Sequence, residues 1–255
     1  MTNDTMTSGR ETRVVPPYRI EGSGPLLIYI AGMDGTGEFF FKQRPDLAES
    51  YRVVTFRSRD GGGFSYDDLT DDVAAIIQDN KDSRATILGE SFGGTVALWF
   101  ALRYPGMVER MVVVNSFPRF RRQILIKLAA RLAAALPFPT TWVARGGANF
   151  LGLLADGVAR DDRKRFFAAM KTVKQDSYAQ RLKLIAEFNV EDRLHEIEAP
   201  TLFIAGEKDL LIRSVREAKA MARRMPRAIV RVIQGAGHAC LMGNRVNLAR
   251  ILKET

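Results

Sequence analysis

Ser91 sits in Gly89-Glu90-Ser91-Phe92-Gly93-Gly94, a Gly-x-Ser-x-Gly pattern between a short apolar β-type run (85–88) and an apolar helix-period run (95–102). That context predicts a strand, a tight turn and a helix, with the serine hydroxyl exposed at the corner. The glycines are needed because a Cβ on either side would clash in so tight a turn. A serine hydroxyl is a weak nucleophile at neutral pH and needs a positioned base. The chain has only two histidines. His195 lies in a charged stretch, Asp192-Arg193-Leu194-His195-Glu196, and reads as a solvated side chain. His238 follows the last predicted strand in Gly235-Ala236-Gly237-His238, at a strand end, where the loops of an open α/β sheet form sites. His238 is the candidate base. A third group should hold its tautomer and stabilise its charged form. Asp209, reached from the predicted strand 202–205 through Gly206-Glu207-Lys208, suits that task, with Glu207 the second choice.

These residues need a scaffold that delivers three strand ends to one place. Apolar β-rich runs alternate with amphipathic helical runs, the pattern of a mostly parallel sheet flanked by helices. Strands are expected at 26–31, 52–56, 85–88, 108–115, 201–205 and 229–233. Helices are expected at 38–50, 67–79, from the serine corner to about 104, at 214–225 and at 241–252. The alternation lapses between 117 and 195, which is helix-rich and basic, so a helical lid is expected to interrupt the sheet. The expected organisation is a flexible tail (1–12), a core (13–116 and 196–255) and a lid (117–195).

The chain order Ser91, Asp209, His238, together with the strand–turn–helix corner, resembles the α/β-hydrolase superfamily over nearly the whole chain from about residue 25. Ala31-Gly32-Met33-Asp34-Gly35-Thr36-Gly37 resembles the oxyanion loop of that superfamily, with Ala31 where a histidine is often found. The resemblance assigns an oxyanion hole to the backbone N–H groups of Met33 and Phe92. Phe92 opens a helix, so its N–H is unpaired and lies at the positive end of the dipole. Asp34 is expected to shape the loop. The implied activity is a serine esterase acting on carboxylic esters through an acyl-enzyme. Alternatives are an acyltransferase or thioesterase using acyl-CoA or acyl-carrier substrates, and a non-catalytic ligand-binding protein of the same fold. A serine at the corner argues against the branches whose nucleophile is an aspartate.

Composition narrows the partners. The chain of 255 residues carries a formal charge of +9, and the segment 117–195 holds 15 Lys/Arg against 7 Asp/Glu. That basic segment could meet an anionic membrane or an acyl carrier, and it is also the pattern of a solvated helical face. A nucleic-acid partner is not expected. Leu125, Leu128, Leu132, Phe138, Trp142, Phe150, Leu153 and Phe166 are candidate linings of an acyl pocket, or else the lid's own core. One cysteine, Cys240, rules out an internal disulfide and reads as a packed residue. No metal-ligand spacing occurs, Gly61-Gly62-Gly63 lacks a P-loop lysine, and no cofactor is expected. The apolar run at 124–138 is broken by Lys127 and Arg131, and no signal-type stretch opens the chain, so a cytoplasmic protein is expected.

Overall fold

A computed structural model describes residues 15–135 and 158–255. The expected tail, and Phe138, Trp142, Phe150 and Leu153, lie outside the described residues. The strands are β1 (Tyr18–Glu21), β2 (Leu26–Ile30), β3 (Arg52–Phe56), β4 (Ala85–Glu90), β5 (Val108–Val114), β6 (Thr201–Gly206) and β7 (Ala228–Ile233). The described helices are α1 (Arg44–Ala48), α2 (Tyr66–Asp79), α3 (Phe92–Arg103), α4 (Gln123–Ala135), α5 (Arg160–Lys171), α6 (Gln175–Glu187), α7 (Ser214–Ala222) and α8 (Leu248–Lys253).

The strands form one seven-stranded sheet in the order β1-β3-β2-β4-β5-β6-β7. Only β1, against β3, is antiparallel. The sequence pattern predicts six of these strands and misses β1. Tyr-Arg-Ile-Glu lies at the sheet edge with three of its four residues exposed, so it leaves no apolar run to read. The buried strands alternate between two layers, as the period of two requires. Ile28, Val54, Ile87, Val113 and Phe203 pack toward α2 and α3. Leu27, Val53, Leu88, Val112 and Leu202 pack toward α1 and α8. Helix α3 is buried on nearly every side, which explains its continuous apolar sequence.

Two expected helices are shorter than their patterns suggest. The stretch 38–50 is a 3-10 turn at Glu38–Phe40 followed by α1, which restarts at Arg44-Pro45, where proline's missing N–H costs nothing. The stretch 241–252 divides into a 3-10 turn, Cys240–Met242, and α8, where the Asn247 side chain caps the Arg250 N–H at 2.8 Å.

Strand β2 lies between β3 and β4, so the chain leaves β2 on one side and returns on the other through α2. The loops after β2 and β4 therefore diverge and leave a crevice at the C-terminal edge, the place where such sheets bind ligands. The three helices α4, α5 and α6 lie in sequence between β5 and β6. α4 packs on α6, while α5 sits against the turn after β2, with the Phe39 and Phe166 rings stacked at 4.6 Å. Among the described residues no helix is long and apolar enough to cross a membrane.

Candidate active site

β4 ends at Glu90 and α3 begins at Phe92, which leaves Ser91 alone to turn the chain, with φ 54° and ψ −116°. Such a backbone costs a non-glycine residue about 1–3 kcal/mol and persists only where its surroundings impose it. Here they do: Ser91 N–H donates to the Val114 carbonyl at 2.9 Å, and the Ser91 carbonyl accepts the Ser116 hydroxyl at 2.8 Å. A Cβ on Gly93 would collide with the Ile30 carbonyl, and one on Gly89 with the Gly93 carbonyl. Backbone cannot move aside as a flexible side chain can. Gly93→Ala is therefore expected to lose about 3 kcal/mol of stability, read as a lowered urea midpoint, and a variant that melts like wild type contradicts the packing.

The hydroxyl pushed out at this corner meets His238, whose Nε2 lies 3.0 Å from Ser91 Oγ. His238 Nδ1 lies 2.8 Å from Asp209 Oδ2. Asp209 Oδ1 also accepts the N–H groups of Leu211 at 3.0 Å and Ile212 at 3.3 Å, and its Oδ2 accepts the Ser214 hydroxyl. Burial pushes the Asp209 carboxyl up, but the neighbouring His238 charge and the hydrogen bonds from His238, Ser214 and Ile212 outweigh it and hold the group below its usual range. With Asp209 ionised, Nδ1 carries the imidazole proton as donor, and the Nε2 lone pair faces the serine hydroxyl. Glu207 is exposed and accepts the Gly235 N–H at 2.8 Å, shaping the turn before His238 rather than contacting its ring. His195 is exposed in the 3-10 segment Glu191–Glu196.

Asn115, a neutral side chain that no motif marks, ties the site together. It is buried, with φ 46°, a left-handed backbone that asparagine tolerates better than most. Its Oδ1 accepts the Gly206 N–H at 2.8 Å, and its Nδ2 faces the carbonyls of Gly237 at 3.0 Å and His238 at 2.9 Å, with Cys240 Sγ at 3.2 Å. One amide thus joins the end of β5, the end of β6 and the histidine loop. Its only sequence signal is its place just after a buried strand.

Across the switch point from Ser91 runs the loop after β2. Asp34 is buried and accepts both the N–H of Thr36, at 2.7 Å, and its hydroxyl, at 2.5 Å. Among the described residues neither the Met33 nor the Phe92 N–H meets a backbone acceptor. Arg181 of α6 braces this loop from behind, at 1 % exposure. It donates to the Arg59 carbonyl at 3.1 Å and, at a long 3.5 Å, to the Met33 carbonyl. Its guanidinium packs close against Gly35, where a Cβ would overlap it. Burial pushes the Arg181 guanidinium down from its ordinary value, and Asp34 and Asp60 oppose that shift. One arginine in a basic amphipathic helix gives no sequence signal for this task. Leu125, Leu128 and Leu132 are exposed on α4, while Phe166 is buried against Phe39, so the structure does not gather these four around Ser91.

The model of the alpha/beta hydrolase fold family matches residues 25–244. The chain belongs to that family. Among curated relatives, a protein of Stutzerimonas stutzeri named for carbamate hydrolysis, RutD, is 25% identical over 256 positions, covering 92% of each chain. A pimeloyl-[acyl-carrier protein] methyl ester esterase of Photobacterium profundum is 28% identical over 254 positions, covering 93% of this chain and 96% of its own. Among solved structures, an esterase from Exiguobacterium antarcticum superposes with a TM-score of 0.82 over 93% of both chains at 19% identity, a likeness of fold. Among the described residues no cluster of three or more His, Cys, Asp or Glu side chains could hold a metal ion.

Proposed function

We propose that this protein is a serine hydrolase that cleaves carboxylic esters through an acyl-enzyme. The observation that carries the reading is the unbroken path from Ser91 Oγ to His238 Nε2 at 3.0 Å and from Nδ1 to Asp209 at 2.8 Å. His238 Nε2 takes the hydroxyl proton as Ser91 Oγ attacks the ester carbonyl, and Asp209 stabilises the imidazolium. The N–H groups of Phe92 and Met33 receive the oxyanion, a contact worth a few kcal/mol per donor at the tetrahedral stage. The departing alkoxide leaves with the His238 proton. Water then gives its proton to His238, attacks the acyl-enzyme and releases the acid. The relatives' names support the carbonyl chemistry, since a methyl ester and a carbamate both present an acyl carbon.

A series of p-nitrophenyl esters of rising chain length, run on wild type and Ser91→Ala, tests the reading. Turnover in wild type that vanishes in the variant is expected. A phenyl carbamate run beside the esters separates the carbamate chemistry of the relatives from ester cleavage.

Arg181 has a definite place in this mechanism as a positioning residue. Ala31 stands where a histidine often supports the oxyanion loop, and here the guanidinium braces Met33 and Gly35 from α6. Arg181→Met keeps the apolar stem and removes the brace. The expected result is a fall in kcat of about 100-fold with KM nearly unchanged, the cost of shifting one oxyanion donor. A boronic acid, which mimics the tetrahedral stage, should weaken in parallel with kcat, while the carboxylic acid product should bind as before. Loss of thermal stability with kcat and boronate affinity intact would reduce Arg181 to a packing role.

A further inference from the structure

The ladder between β2 and β4 has its last register pair at Ile30 and Gly89, just short of the site. Beyond that pair one strand end leads to Met33 and the other to Ser91. Their separation decides whether a donor on the loop after β2 can meet an oxyanion formed at Ser91. The clearance is small. A Cβ added to Gly32 would stand 3.4 Å from the Glu90 carbonyl oxygen and 3.5 Å from Ser91 Cβ.

Where the ladder ends, a side-chain bond crosses between the same two strands. The Tyr29 hydroxyl of β2 donates to Glu90 Oε2 at 2.7 Å, and both residues are buried. Glu90 is the last residue of β4 and directly precedes Ser91. Tyr29 also meets the far end of the loop after β2. Its ring stacks on Phe40, with centroids 4.1 Å apart and planes 6° from parallel. Phe40 belongs to the 3-10 turn that follows Gly37. One side chain thus joins the start of that loop, its end, and the strand that delivers the nucleophile.

Packing alone does not ask for this pair. Leu27, Leu88, Val112 and Leu202 fill the same layer with apolar side chains. Burying a phenol and a carboxyl among them costs desolvation that hydrogen bonding must offset. A breach of the apolar pattern is expected where function requires it. Burial pushes the Tyr29 phenol well above its ordinary range, and Glu90, Asp34 and Cys240 push it further. The phenol therefore stays protonated and keeps its proton for Glu90.

We propose that Tyr29 and Glu90 are positioning residues that set the distance between the Ser91 hydroxyl and the oxyanion donor at Met33. This deepens the acyl-enzyme reading and rests on it for the chemistry at Ser91. The pair touches no reacting atom. It acts by fixing where two strand ends stand relative to each other, and its loss moves the donor away from the developing charge.

The test uses p-nitrophenyl butyrate turnover, the rate at which a fluorophosphonate labels Ser91, and thermal melts. Tyr29→Phe keeps the ring and its stack on Phe40 and removes only the hydroxyl. It should lower kcat and kcat/KM together by about tenfold to a hundredfold, the scale of a small misplacement, with KM nearly unchanged. Glu90→Met should do the same, and the double variant should be no worse than either, because one link is lost once. Glu90→Gln should recover most of the loss, since its amide oxygen can accept the phenol proton. Labelling should slow in step with kcat, because the phosphonyl oxygen needs the same donors. Lowered melting temperatures with kcat and labelling intact reduce the pair to packing and overturn the proposal. So do a loss confined to KM, additive losses in the double variant, or a Glu90→Gln as slow as Glu90→Met. If Glu90→Met does not fold, Tyr29→Phe set against Glu90→Gln decides. Wild type that is labelled but cleaves no ester fails the ester reading alone, and the labelling rates of the variants then decide the pair. Wild type that is neither labelled nor active fails both.

Discussion

Ser91→Ala is expected to lower kcat for p-nitrophenyl butyrate roughly a million-fold, the loss seen when a serine nucleophile that works with its base is removed. The size follows from how the residues share one task. With Ser91 gone, His238 has no proton to accept at 3.0 Å, and Asp209 orients a base that does nothing. What remains is the pair of N–H donors at Met33 and Phe92, which can still polarise a bound carbonyl toward water. Stability should change little: among the described residues the hydrogen-bond partner of the Ser91 hydroxyl is the His238 ring, while the backbone bonds that hold the corner use the Ser91 N–H and carbonyl. The measurement is steady-state turnover beside a thermal melt, with intact-protein mass after a fluorophosphonate probe. Wild type should gain one adduct and the variant none. Turnover of the variant at a tenth of wild type, with its fold intact, would overturn the mechanism.

The parts of this site that were legible in the sequence are those tied to strand ends. Ser91, Asp209 and His238 each follow an apolar run, and a parallel sheet brings all such ends to one edge, so their convergence needed no knowledge of distances. Asn115 occupies an equivalent position after β5. Its work is done by a neutral amide reaching backbone groups at residues 206, 237 and 238, and no local pattern marks such a contact. Arg181 was harder still. It lies far along the chain from the loop it braces, in a segment where the surplus of basic residues hides one buried guanidinium among many exposed ones. The shortened helices at 38–50 and 241–252 failed for a different reason. Apolar spacing says which face is buried, whereas Pro45 and the Asn247 cap decide where a helix can begin. Periodicity thus identified the layers, and the chemistry that fixes angles and boundaries came from single residues acting over long sequence separations.

Asp209→Asn tests the orienting group without emptying its place. The amide oxygen of the variant can still accept the N–H groups of Leu211 and Ile212, and its NH₂ can occupy the position facing Ser214 and His238. That NH₂ is a donor, so His238 Nδ1 must now accept, and the imidazole proton moves to Nε2. Nε2–H then points at Ser91 Oγ and cannot take its proton. The expected result is a kcat about 10⁴-fold below wild type at neutral pH with KM changed far less, since the fault is a tautomer and not a missing contact. Stability should report the same carboxylate through its pH dependence. The native carboxyl is held below its usual range, so its contribution is complete above the unfolded value near about 4 and disappears as pH falls through the lower native value. Urea midpoints of wild type and variant should therefore differ most at neutral pH and converge in acid. A difference that stays constant from neutral pH into acid would mean that the charge of Asp209 is not what holds it against His238. A variant that keeps a tenth of wild-type kcat would remove Asp209 from the mechanism and leave the exposed Glu207 as the nearest remaining carboxylate on that loop to examine.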